Sequence, residues 1–160
     1  MRIDRLPDNM LSDDISEFVF RLMNEPLFLP DILRDYNALT RELKRQLDFP
    51  GNKFWGLYRD DDKIGGVIGI TSVVPAHEAR FLLWIWERAV LTPRMISDIS
   101  DIIKREMKEN ALARLWAQVA CKNAGRILKL LGFVCEGKFK YAFKHDKKLY
   151  TLFQYRRIGG

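Results

Sequence analysis

The stretch Ala79–Val90, ARFLLWIWERAV, constrains the fold more than any other in this chain. As a strand it would be apolar on both faces, with Trp84, Trp86 and Arg88 in one alternating set and Leu83, Ile85 and Glu87 in the other. Such a strand belongs in the middle of a sheet that is covered on both sides. The chain has 160 residues, 48% of them hydrophobic, which is enough to fill one core. No repeat, low-complexity tract or linker divides it, so residues 1–160 are expected to form a single domain.

The rest of the sequence supplies the neighbours such a strand needs. MRIDRLP reads as a short first strand. SDDISEFVFRLMNE reads as a helix capped by Ser12, with Ile15, Phe18, Val19 and Leu22 on one face. Asp31 can cap a second helix, whose stripe is Ile32, Tyr36, Leu39, Leu43 and Leu47, and FPGN ends it. KFWGLYRD and KIGGVIGITSVV flank a polar turn and form a hairpin. After the apolar strand, Thr92 and Pro93 open a helix with Ile96, Ile99, Ile103 and Met107 facing inward. RLWAQVA is a further strand. Asn123 is expected to cap the next helix, which packs through Ala124, Ile127, Leu128 and Leu131 and stops at Gly132. GKFKYAFK and LYTLFQYRR make a closing hairpin, in which one face of the first strand would bury Phe139, Tyr141 and Phe143. The order β-α-α-β-β-β-α-β-α-β-β implies an α/β (α+β) fold: a mixed, mostly antiparallel sheet of six to seven strands with helices on both faces.

The net charge of +6 is concentrated in the last quarter, where residues 121–160 hold ten Lys/Arg against two Asp/Glu. A basic end of this kind suits a phosphate-bearing ligand, a nucleic acid or an acidic protein. No run is long and apolar enough to span a bilayer, and the N-terminal residues lack the features of a signal peptide. Two cysteines, Cys121 and Cys135, fit a reducing compartment better than a disulfide, which makes a cytoplasmic protein the expectation. No cluster of residues has metal-ligand spacing.

The strand order, together with the helix stop and strand start in LLGFVCEG, resembles the GNAT (GCN5-related) N-acetyltransferases. The resemblance implies a GNAT-like acyl-CoA N-acyltransferase fold over nearly the whole chain. It also implies acetyl-CoA as co-substrate, lying between FLLWIWERAV and RLWAQVA, and an amine as acceptor. Contacts to the cofactor would come from Val90, Leu91, Thr92, Arg94, Ile96 and Ser97 at the phosphate loop, and from Asn123 and Arg126 on the following helix. Glu87 would be the base and Tyr141 the phenol that protonates the leaving thiolate. Tyr150, His77, Glu78 and His145 are weaker candidates for proton transfer. Trp84 and Trp86 would shape the pocket, and the acceptor would approach between NEPLFLPD and the closing hairpin.

Two departures from the family's pattern stand out. The phosphate loop LTPRMISD has no glycine, and Pro93 removes one amide donor, so Arg94 would have to supply charge where amides ordinarily bind. Leu128 occupies the position where many members carry a tyrosine, and a leucine transfers no proton. The second reading is therefore a non-catalytic binding or assembly protein on the same fold, such as a tailed-phage morphogenesis factor, using its basic hairpin. An acidic protein or nucleic acid, and a second copy in a homodimer, are the macromolecular partners these readings leave open. No motif of a sequence-specific DNA reader is present.

Overall fold

The structure is a computed structural model that describes residues 1–7, 20, 36–85, 87–120, 122–145 and 147–159. The expected first helix, the Asp31 cap, Trp86 and Cys121 lie outside the described residues, apart from the helical Phe20. In chain order the elements are β1 (Arg2–Arg5), α1 (Tyr36–Asp48), β2 (Lys53–Tyr58), β3 (Ile64–Val74) and β4 (Glu78–Ile85). A 3-10 turn (Arg88–Val90) leads into α2 (Pro93–Glu109), followed by β5 (Arg114–Val119), α3 (Lys122–Leu130), β6 (Val134–His145) and β7 (Lys148–Ile158). They build one seven-stranded sheet in the order β1-β2-β3-β4-β5-β7-β6. All neighbours are antiparallel except β4 and β5.

Alternation along the strands sends one set of side chains into the main core. Trp55, Leu57, Ile68, Ile70, Ala79, Phe81, Leu83, Leu115, Ala117, Val119 and Tyr155 meet Met95, Ile99, Ile103 and Met107 of α2 and Ala124 and Leu128 of α3. The other face of the first half of the sheet is covered too, since Phe54, Val67 and Thr71 are buried there, while Leu43 and Leu47 of α1 are buried outside the main cluster. Cover on the second face is therefore complete at β2 and β3 but not at β4.

α3 ends as its sequence directs. Gly132 has φ +81°, its amide donates to Lys129 O at 3.0 Å, and the Phe133 amide donates to Leu128 O at 2.9 Å. This pair of bonds satisfies two of the helix's last carbonyls through a left-handed residue that glycine adopts without strain. Arg157 of β7 donates to Leu131 O at 2.7 Å, tying that helix end to the sheet.

Four expectations need correction. The apolar strand stops at Ile85 rather than Val90, because the Glu87 amide turns to Gly65 O at 3.0 Å and Val90 packs over Gly65, where a Cβ would meet Val90 Cγ1 at 2.5 Å. Its second face, with Arg80, Leu82 and Trp84, is half-buried rather than fully covered. Asn123 is not the cap of α3: it is the helix's second residue and is exposed. The β6 aromatics are not a buried face, since Phe139 is 50% and Tyr141 70% exposed. β6 is an edge strand, and a break in register between Phe139 and Phe143, with Tyr141 at φ 55°, interrupts its alternation.

Candidate active site

The parallel pair at the centre of the sheet is incomplete. β4 and β5 pair at Glu78↔Arg114, Ala79↔Leu115 and Arg80↔Trp116, and no further. β4 continues to Ile85 and β5 to Val119, each still bonded to its other neighbour, β3 and β7 respectively. Residues 81–85 and 117–119 thus line an opening between two strand edges that do not bond one another. Backbone N–H and C=O groups on such edges need partners, and an extended molecule carrying amides can provide them. On the helix side, Phe81 and Phe133 lie 5.4 Å apart between ring centroids and are buried.

At the far end of β4 stands the α2 N-terminus. Thr92 caps it by accepting from the Met95 amide at 3.2 Å, and Pro93 occupies the first turn. The Thr92 amide donates to Val90 O and the Ile96 amide to Thr92 O, each at 3.0 Å. Pro93 has no amide proton, and the Arg94 amide, in the first turn of the helix, has no backbone partner among the described residues. The Arg94 and Ser97 side chains are exposed, Leu91 and Ile96 are half-buried, and Val90 is fully buried and points into the core. An anion here would meet one free amide, the helix dipole and the Arg94 guanidinium. Asn123 and Arg126 are both exposed on α3.

Glu87 is half-buried just after β4, and its carboxylate is 3.6 Å from Arg59 Nη1 in the β2–β3 hairpin. Tyr141 sits on β6, with β7 and β5 between it and the opening, so the fold does not bring these two residues together. Leu128 is fully buried in the core, as its stripe predicts. His77 is exposed in the β3–β4 turn, and Glu78 is taken by Arg114 at 2.5 Å. Tyr150 is half-buried on β7, and the His145 side chain lies outside the described residues. Cys135 is an exposed free thiol. No group of His, Cys, Asp and Glu among the described residues could hold a metal ion, and no described helix is long and apolar enough to cross a membrane.

Sequence reasoning passed over the face of the opening that looks away from α2 and α3. There Arg80 lies 5.3 Å from the Trp116 ring centroid. Beyond it runs a polar relay: Gln118 donates to Gln154 at 3.2 Å, and Gln154 donates to Glu136 at 3.1 Å. Glu136 also pairs with Arg156 at 3.2 Å. The signal for this row was present in RLWAQV, where arginine, tryptophan and glutamine alternate with core residues.

No family model matches this chain, and no curated protein matches it in sequence. Solved structures match it in shape. A point variant of the spermidine N-acetyltransferase SpeG from Vibrio cholerae superposes with a TM-score of 0.74 at 12% identity, covering 99% of this chain and 95% of that one. The fold is that of the GNAT acetyltransferases. The Vibrio cholerae spermidine N-acetyltransferase in complex with CoA and spermine gives a TM-score of 0.70 at 12% identity over 98% of this chain and 95% of that one. A chimera of the same enzyme with hSSAT gives 0.72 at 13%, over 99% and 96%.

Proposed function

We propose that this GNAT-fold chain is an acyl-CoA-dependent N-acyltransferase that moves an acetyl group from acetyl-CoA to an amine. One observation carries the reading: the parallel pair β4–β5 separates after Arg80↔Trp116 and leaves two unbonded strand edges facing each other. A pantetheine arm has two amides and an extended shape, so it can satisfy those edges as a surrogate strand. The α2 N-terminus then faces the phosphates, with Arg94 supplying most of the positive charge because the neighbouring amides are engaged. The acceptor amine attacks the thioester carbonyl from the face carrying Arg80 and Trp116, and the CoA thiolate leaves. Holding the two reactants in line supplies the main part of the rate, as direct attack requires little beyond positioning. Glu87, whose carboxylate lies 3.6 Å from Arg59 Nη1, is the group assigned to take the ammonium proton through water. Tyr141 has no part in this scheme, since a phenol 70% exposed and two strands away cannot reach the thiolate.

The second reading, a non-catalytic binding protein, draws on the α2 N-terminus, where the amides of Thr92, Met95 and Ile96 already have partners. A thiol-trapping assay separates the two. The purified protein, acetyl-CoA and a panel of amines should give CoA release that depends on the amine and saturates with it. Release no faster than spontaneous hydrolysis with every amine would remove the transferase reading.

A further inference from the structure

Among the described residues, Arg80 is a cation without a counter-ion. It is the last β4 residue paired to β5, opposite Trp116, and on its other side it pairs with Thr71 of β3, which is 2% exposed and uncharged. Its Nε atom is buried and has no hydrogen-bond partner. The nearest acid along its own face of the strand, Glu78, is held by both Nε and Nη2 of Arg114, at 2.6 and 2.5 Å. No ion pair to Arg80 exists among the described residues, and burial lowers its pKa below the ordinary arginine value. The Trp116 ring, 5.3 Å from the guanidinium carbon, attracts the charge but accepts none of its five N–H groups. A half-buried guanidinium whose Nε has no partner is costly to keep, and proteins retain such groups where a ligand completes them.

We propose that Arg80 binds a carboxylate of the amine acceptor, so that the substrates are amines bearing a carboxylate rather than polyamines. This rests on the transferase reading for what the bound molecule does, though not for its binding. The position suits the role. Arg80 marks the apex of the β4–β5 opening, where the strands part and a thioester would be approached. A planar carboxylate can take two parallel N–H bonds from a guanidinium, which would fix the acceptor's direction as well as hold it. A polyamine there would set like charges together, which selects against it. The CoA and spermine complex of the structurally similar Vibrio cholerae enzyme belongs to an acceptor of the opposite charge.

The test follows the Nε–Hε resonance of Arg80 by NMR in nitrogen-15-labelled full-length protein, assigned by its loss in Arg80→Lys. Glycylglycine, glycylglycinamide and spermidine are titrated without acetyl-CoA. A saturating shift with glycylglycine alone is expected; in Arg80→Met, followed instead by the Trp116 indole N–H resonance beside the site, the affinity should be weakened about tenfold or more. Arg80→Met without ligand should melt no lower than the wild type, because a half-buried guanidinium with an unpaired Nε has been replaced by an apolar chain of similar length. An equal shift with the amide or with spermidine, or no shift with any of the three, would overturn the proposal. A lower melting point for Arg80→Met would also count against it, by making the arginine a packing residue. The titration contains no thioester, so carboxylate binding without CoA release would sink the transferase reading and leave the anion site standing.

Discussion

The contact between Gly125 and Tyr155 fixes how α3 lies on the sheet, and substitution there has a calculable cost. A Cβ on Gly125 would stand 2.3 Å from the Tyr155 hydroxyl oxygen and 3.1 Å from Cζ. Tyr155 is 6% exposed and held in the β7 ladder between Ala117 and Cys135, so it cannot step aside. Overpacking of this kind costs about 1–3 kcal/mol. Replacing glycine by alanine inside a helix returns about 1 kcal/mol. Gly125→Ala should therefore destabilise by up to about 2 kcal/mol, lowering the melting point by up to about 8 °C for a chain of this size. Tyr155→Phe removes the atom at 2.3 Å and leaves the ring carbon at 3.1 Å, a gap that a small shift relieves. In that background Gly125→Ala should cost nothing or stabilise slightly. Urea denaturation of the four proteins gives the double-mutant cycle directly. Equal cost in both backgrounds, or stabilisation of the wild type by Gly125→Ala, would refute the packing argument.

Other outcomes follow from the same structure. Lys53→Met leaves Glu106, only 2% exposed, without the ammonium 2.5 Å away, although Asn110 still donates to it at 3.5 Å and Arg105 Nη2 stands 3.9 Å away. Lys53 is itself 23% exposed, so the loss should be about 2 kcal/mol rather than the full penalty of a buried pair, read by urea denaturation. Burial raises the Tyr155 pKa above its ordinary 10.0, with smaller contributions from Cys135. A raised folded value favours the folded state below the unfolded pKa and withdraws that advantage as pH climbs through the folded one. Stability should thus fall above about pH 10, and Tyr155→Phe should fall less steeply over the same range. Arg94→Ala should weaken acetyl-CoA binding about tenfold in calorimetric titration, with the melting point unchanged because the side chain is exposed.

Much of the fold was legible because its signals are local. The stop at Gly132, the cap at Thr92 and the stripe Ile96, Ile99, Ile103, Met107 each follow from one turn or one face of a helix, and each stands as read except that Ile96 is half-buried. Errors arose where distant residues decide. The strand ends at Ile85 because Gly65, on another strand, accepts Val90 and the Glu87 amide, and nothing in FLLWIWERAV announces that. The aromatics of β6 alternate as a buried face would, but an edge position and a break in register leave Phe139 and Tyr141 in solvent. The candidate site was less legible still. Its opening is a pairing that fails to form, and Arg80 gains meaning only once its neighbours prove to be Trp116, Thr71 and an already engaged Glu78.

An acyl-CoA bound in the opening between β4 and β5 is what the transferase reading requires. Calorimetric titration of the purified protein with acetyl-CoA, at low and at moderate salt, tests it most directly. Saturable one-to-one binding in the micromolar range that weakens with salt is expected, since phosphates meet an arginine and a helix N-terminus. No heat of binding up to millimolar acetyl-CoA at either salt would contradict it.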